Sequence, residues 1–382
     1  MAPPIRSPFG RLMILMGGLL VLATPSSLPA QPQTLIRVGI LLGQAQSTLA
    51  AEATVEVVDV GLGRLEYLAP GPWTFRAAPE GIEGAGRTYG DVLRVRTLTG
   101  VPIRLVERQR AYRGVVELRR TDRGLVVINE LDLESYLYGV LRLEVDPAWP
   151  PEALKAQAVA ARTLALASLG RFRREGYDVR DTTEVQLYGG ATFEDPRTNA
   201  AVDATRGVLL LHEGKPIHAV YHADSGGQTE ASEHVWGVAY PYLRSVEDPY
   251  VAGSPYQRWT VVVPLVHLED RLQGGSIPIQ GITGGEVLRT SESGRALLVR
   301  FWSASGAVEL PGHRLRSLLG PNVLLSTRFA LRVEGQNVVF EGSGWGHGVG
   351  LSQWGARGMA LAGSPYDRIL RHYYRGVELA RR

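Results

Sequence analysis

Apolar and polar positions along the chain fall into distinct regimes. From Ala53 to Arg120 the apolar residues come in short runs (ATVEVVDV, GRLEYLAPG, DVLRVRTL, VPIRLVE, YRGVVELRR) broken by Gly and Pro and without a helical period. That pattern predicts short β-strands joined by turns. Ahead of it, Leu35–Leu42 (LIRVGILL) reads as a buried strand and Gln44–Ala51 as a polar, small-residue loop. Gly124–Leu141 changes character: Leu125–Asn129 is a strand, whereas Leu133, Tyr136, Leu137 and Val140 have helical spacing, with Asp132 as N-cap. The clearest helix starts near Pro151, where a missing N–H costs nothing. Glu152 sits where the helix dipole favours a negative charge. Leu154, Ala158, Ala161 and Ala165 share one face, and so small a stripe predicts close packing against another backbone.

Beyond it, Arg173–Arg197 is polar and Asn199–Thr205 looks like a short helix. Val208–Leu211 and Ile217–Tyr221 are expected to pair across the turn His212–Pro216. Val261–Leu265, Ala296–Phe301, Ala307–Leu310, Arg328–Val333 and Asn337–Phe340 read as strands, with a Gly/Ile-rich stretch at Gly281–Gly285. Short helices are expected at Arg314–Leu319 and Ile369–Tyr374, and Gly342–Ala360 as a Gly-rich loop running into a helix. The sum is an α+β protein, β-rich, organised around one Ala-rich helix.

Composition narrows the picture. The 382 residues suffice for one large domain or two smaller ones, and a net charge of +3 argues against nucleic acid as partner. Lys155 and Lys215 are the only lysines, which draws attention to the one inside the central helix. Arg6 and Arg11, the apolar run Leu12–Ala23 and the small residues up to Ala30 form the pattern of an export signal cut after Ala30, with an uncleaved anchor as the alternative. Either way the protein is expected outside the cytoplasm, in the periplasm or cell wall. Absence of cysteine excludes disulfides and a thiolate zinc site. The expected partition is residues 1–30 as signal, 31–110 as a small β-rich region, and 111–382 as the main domain.

Three stretches carry candidate chemistry. Glu144 lies between Leu143 and Val145 with Trp149 close by. In an apolar pocket its carboxyl would hold a proton near neutral pH, as a general acid requires; on the open surface it is one more solvated glutamate, the commoner outcome for that residue type. Lys155 and Arg162 share a helix face that can bring two cations towards it. HADSGGQTE supplies His222, Ser225 and Gln228 around two glycines, the mixed donors and acceptors that suit a sugar. His218 and His222 on one strand face resemble half a metal site, with no third ligand in sight, and Ser225 lacks a nucleophile-elbow context. GWGHGVGLSQWG sets Trp345, His347, Gln353 and Trp354 among glycines: rings for the apolar face of a pyranose, or else plugs in a core.

The run NELDLESYLYGVL…E…AWPPEALKAQAVAARTLAL resembles the SpoIID/LytB family, named for stage II sporulation protein D. So do YHADSGGQTEASEHVWG, SVEDPY, GWGHGVGLSQWGARGMA and HYYRG, from about Val115 to Leu379 with a weaker stretch near Val263–Leu310. The resemblance implies a lytic transglycosylase of peptidoglycan that cuts between N-acetylmuramic acid and N-acetylglucosamine in strands stripped of stem peptides. The family's catalytic acid is the glutamate of an EMPxxWP-like turn; here the turn reads EVDPAWP, which puts the role on Glu144, with Val145 and Asp146 replacing Met-Pro. One carboxylate then serves as acid and base, and no cofactor is implied. Lys155, Arg162, His222, Ser225, Gln228, His347 and Gln353 become candidates for holding the sugars, with Trp236 and Trp345 as walls. A clostridial zinc site built on cysteines does not carry over. Some relatives are described as enhancers of a cell-wall amidase, so a non-catalytic glycan binder with an amidase partner is the rival expectation. A structural envelope protein and a metallohydrolase using His218 and His222 follow behind.

Overall fold

The computed structural model describes residues 34–382 together with Met1, so the expected export signal lies outside the described residues. Two sheets form the first part. One has seven strands, in the order Val179–Arg180, Leu35–Gln44, Gly124–Asp132, Val115–Thr121, Val92–Thr97, Val55–Asp59, Arg64–Leu68. The other has six: Arg110–Tyr112, Ile103–Leu105, Gln46–Ala51, Gly71–Ala78, Gly81–Gly84, Arg87–Tyr89. Alternating residues of both, among them Val38, Leu49, Val57, Phe75, Leu93 and Leu118, fill one core. The strand Gln46–Ala51 replaces the loop expected there. Its buried positions are Ser47, Leu49 and Ala51; only Leu49 is a large apolar residue, so the alternation does not show as hydrophobicity. Val115–Thr121 pairs with Val92–Thr97 on one side and Gly124–Asp132 on the other, so a single sheet runs across residue 110.

The same core takes in two helices. α1 (Leu133–Glu144) is capped by Asp132, whose side chain accepts the Ser135 N–H at 3.1 Å. α2 (Pro151–Ala167) is buried at twelve of its seventeen positions, which makes it a central helix rather than an amphipathic one. Ala158, Ala161 and Ala165 face the sheets with α1, while Ala156, Val159 and Ala160 face a second core built from Leu210, Ile217, Leu351, Ile369 and Tyr374. Alanine on every side lets both layers approach closely.

The hairpin expected between Val208 and Tyr221 is cut short. Val208–His212 pairs only with Lys215–Pro216 and, on its other side, with the last strand, Glu378–Arg381. Tight bonds from Ala219 N–H to Ile217 O and from Val220 N–H to His218 O turn the chain out of that sheet. Tyr221–His222 then pairs in parallel with Leu351–Ser352. Between these elements sits an inserted two-sheet unit with its own core. Its strands are Trp259–Pro264, Asn337–Gly342 and Phe329–Glu334 in one sheet, and Ile282–Thr290, Ala296–Ser303 and Gly306–Pro311 in the other. The expected helix at Arg314–Leu319 is present as Gly312–Leu319, and a further helix, Leu265–Gly274, continues a run that reads as strand from its β-branched start.

Candidate active site

Glu144 is the last residue of α1, and the turn after it is built to hold it there. Val145 is extended and buried against Leu154, Ala201 and Trp149. Asp146 closes the turn: its side chain accepts the Ala148 N–H at 2.9 Å and its carbonyl accepts the Trp149 N–H at 3.0 Å. Trp149 meets Trp354 edge to face, with centroids 5.3 Å apart. The two residues that depart from the family's turn therefore pack and cap it.

The Glu144 carboxylate accepts the Leu187 N–H at 3.2 Å and is faced by the Tyr221 hydroxyl. Burial raises its pKa to about 7, and these two donors pull the other way without offsetting it. Behind Tyr221 runs a chain of buried groups whose direction is fixed. Gln186 Nε2 donates to the Ala161 carbonyl at 3.1 Å, and a carbonyl can only accept, so the amide orientation is set. The same nitrogen donates to the Tyr221 hydroxyl at 3.2 Å, while Gln186 Oε1 accepts from Tyr136 at 3.2 Å. Tyr221 thus receives one hydrogen bond from Gln186 and has its own proton left for Glu144. Burial holds the Tyr136 and Tyr221 hydroxyls protonated.

Two cavities meet at Glu144. The larger, about 830 Å³, has Leu187, Tyr221, His218, Tyr240, Trp236 and His347 on its wall. The smaller, about 330 Å³, is bounded by Trp149, Tyr256, Trp345, Gln353 and Trp354. The other carboxylates on these walls, Glu184 and Asp146, are exposed. The rings are set by two loops laced together: Asp224 and Trp345 exchange both backbone bonds, at 3.0 and 2.9 Å, and Glu230 N–H donates to Gly348 O at 2.8 Å. The alternation in GWGHGVG has a backbone cause. Gly344, Gly346, Gly348 and Gly350 all have positive φ, and a Cβ on Gly346 would stand 2.6 Å from that of His222.

Of the sequence candidates, Trp236 and His347 line the larger cavity with Glu144, and Trp345 and Gln353 the smaller. The rest are placed elsewhere. Arg162 is 1% exposed and bound bidentately to Glu134 of α1 at 2.8 and 2.7 Å, with a further bond to the Val202 carbonyl. Lys155 pairs with Glu152 at 2.7 Å, and Glu152 also accepts the Tyr366 N–H at 2.8 Å, pinning the start of α2 to the last helix. Ser225 is buried and donates to Asp248 at 2.7 Å; Gln228 donates to Ser245 at 3.0 Å. His222 is buried with Nδ1 on the Val349 carbonyl at 3.1 Å, while His218 meets the Tyr240 ring at a tilt, centroids 5.4 Å apart, so the two imidazoles part company. His347 accepts the Val349 N–H on Nδ1, and burial beside Arg316 and Arg295 pushes its pKa down to about 4, leaving a neutral ring on the cavity wall.

Sequence reasoning missed Tyr136, Gln186, Leu187 and Tyr221. The available signal was a glutamine between Val185 and Leu187, a polar side chain set in an apolar run.

A family profile described as "Stage II sporulation protein" matches residues 121–212, which hold α1, Glu144 and α2. A second, described as a domain of unknown function, matches 251–350, the inserted unit. The chain is 34% identical over 268 residues to the stage II sporulation protein D of Bacillus amyloliquefaciens, covering 66% of this chain and 75% of that one. It is 36% identical over 256 residues to an uncharacterised protein of Brachyspira hyodysenteriae, 67% and 68% of the two lengths. A Bacillus subtilis protein named amidase enhancer is 31% identical over 291 residues, 64% of this chain and 40% of the other. The chain belongs to the stage II sporulation protein D family.

Proposed function

We propose that the protein is a lytic transglycosylase that cuts peptide-stripped peptidoglycan strands between N-acetylmuramic acid and N-acetylglucosamine, acting outside the cytoplasm. One observation carries the reading: a half-buried carboxyl whose pKa desolvation raises to about 7, at the meeting point of two ring-lined cavities. A polymer lying through both cavities presents an internal bond to Glu144. In the protonated form Glu144 gives its proton to the glycosidic oxygen as the C1–O bond breaks. The resulting carboxylate, still held by Leu187 and Tyr221, removes the proton of the muramic acid 6-hydroxyl. That oxygen closes on C1, giving a 1,6-anhydro end and returning the proton to Glu144. No water is consumed, and the second carboxylate of a hydrolase has no task.

The test is mass spectrometry of stripped strands incubated with the protein and with Glu144→Gln. Release of 1,6-anhydro-muramyl ends by the wild type alone is expected. Reducing ends would mean a hydrolase. The relative named amidase enhancer motivates a second reading, a glycan binder that assists a cell-wall amidase. Strands bound without cleavage by both proteins would favour it.

A further inference from the structure

The seam between the inserted unit and the loop His222–Glu230 encloses a separate small cavity of about 70 Å³, walled by Glu230, His234, Arg295, His313, Arg316 and His347. Its charges do not balance. Arg295 is 1% exposed; it donates to the carbonyls of Gln228 at 2.8 Å and Ser225 at 2.7 Å and to Ser293 at 3.0 Å, and its Nε has no partner. Arg316 donates from Nε to the carbonyls of Leu324 and Leu325, at 2.9 and 3.1 Å. Neither guanidinium forms an ion pair with a carboxylate among the described residues. Burial, uncompensated by such a pair, pushes both pKa values down to about 10.

Glu230 shares the wall but is already saturated. It accepts from Ala231 N–H and His234 at 2.8 Å, from Ser293 at 2.9 Å and from Ser291. Those donors hold it ionised. The guanidinium and carboxylate groups of the wall alone sum to +1, and beyond the wall Asp224 and Arg328 act on Arg295 with opposite signs. A buried, uncompensated cation is costly, and one negative ion removes the cost. The volume is about that of two water molecules, so a sugar is excluded.

We propose that this cavity binds one monovalent anion, chloride or the carboxylate of a small acid, between Arg295 and Arg316. The anion ties the inserted unit to the loop that carries Ser225 and Glu230. It sits behind His347, the residue this cavity shares with the larger one at Glu144. The inference is independent of the reaction at Glu144.

Crystals of the full chain soaked in sodium bromide test it. An anomalous peak within hydrogen-bond reach of both guanidinium groups is expected. In solution, chloride replacing a bulky sulfonate at fixed ionic strength is expected to raise Tm by about 3 °C with saturation. In Arg316→Met, which keeps the stem and removes the charge, that rise is expected to vanish. A rise with formate and none with chloride assigns the site to carboxylates, chloride alone assigns it to halide, and equal rises mean that it takes either anion. Absence of both a bromide peak and a saturable rise with formate, or a rise undiminished in Arg316→Met, overturns the proposal.

Discussion

Gln186 donates to the Tyr221 hydroxyl at 3.2 Å, and that single bond decides which way Tyr221 points its proton. Because the Gln186 amide is locked by the Ala161 carbonyl, Tyr221 is a donor towards Glu144. A donor favours the ionised carboxylate, so Tyr221 moderates the rise that burial imposes. Removing the hydroxyl removes that moderation. In Tyr221→Phe the Glu144 carboxyl is expected to titrate above its wild-type value of about 7. The shift should be near tenfold in proton affinity, ~1.5 kcal/mol for a bond to a charged group. Carbon NMR of glutamate-labelled protein reads it without reference to catalysis. An unmoved or lower midpoint would mean that the relay does not end on Glu144.

The raised pKa also has a stability consequence, and its sign is opposite to that of a salt-bridged acid. Below about pH 4 both folded and unfolded chains hold the proton, and no penalty exists. As pH rises through the unfolded value of 4.5 the unfolded chain releases its proton, and the folded chain keeps it until about pH 7. Glu144 therefore erodes stability across that window, and the loss is complete above it. Glu144→Gln, neutral at every pH, is expected to be more stable than wild type at pH 8 by roughly 1–3 kcal/mol and equal to it near pH 4. Urea unfolding at the two pH values checks this.

Arg162 was read from its spacing as a cation near Glu144, and the structure spends it on Glu134. With the arginine gone, Glu134 retains only the Gly207 N–H, at 3.2 Å, among the hydrogen bonds described. Breaking one side of a buried ion pair leaves the other charge stranded, at a cost of about 3–5 kcal/mol. Arg162→Met is expected to lose that much in denaturant unfolding. The double variant with Glu134→Leu should recover part of it. A loss of activity in Arg162→Met without loss of stability would instead place Arg162 at the substrate.

The pattern of legibility follows from what each signal depends on. Local signals were readable. Pro151 at the start of α2, Asp132 at the cap of α1 and the Gly alternation around His347 are each fixed by backbone chemistry within a few residues. For Glu144 the apolar neighbours left a solvated surface residue the commoner outcome, and it was the resemblance of the EVDPAWP turn that singled it out. The relay was not readable, because Tyr136, Gln186 and Tyr221 meet only after α2 brings three distant segments together. The same helix misled the reading of Lys155 and Arg162. Their shared face predicts where the side chains start, but Glu152 and Glu134 decide where they end. Likewise, the strand face expected to join His218 and His222 dissolved when two tight backbone bonds turned the chain between them.

Trp236 and Trp345 stand on the walls of different cavities, so under the proposed function they are expected to distinguish strands by length. Trp236 is 44% exposed beside His347, with ring centroids 5.2 Å apart; Trp345 rests on Tyr256 at 4.7 Å in the smaller cavity. A strand that spans Glu144 touches both rings, whereas a fragment confined to one side touches one. In a Glu144→Gln background, which binds without turnover, Trp236→Ala is expected to weaken a long stripped strand about tenfold, ~1.4 kcal/mol. Trp345→Phe, which keeps a ring against Tyr256, should weaken it less. A short fragment that loses affinity with one substitution and ignores the other reports which cavity it occupies. Calorimetry on strands of graded length measures all of this. Trp236 is exposed, so its removal should leave stability within about 0.5 kcal/mol, and a binding loss there cannot be unfolding in disguise. Affinity unchanged by either substitution at every length would remove the strand from this groove and with it the role proposed for Glu144.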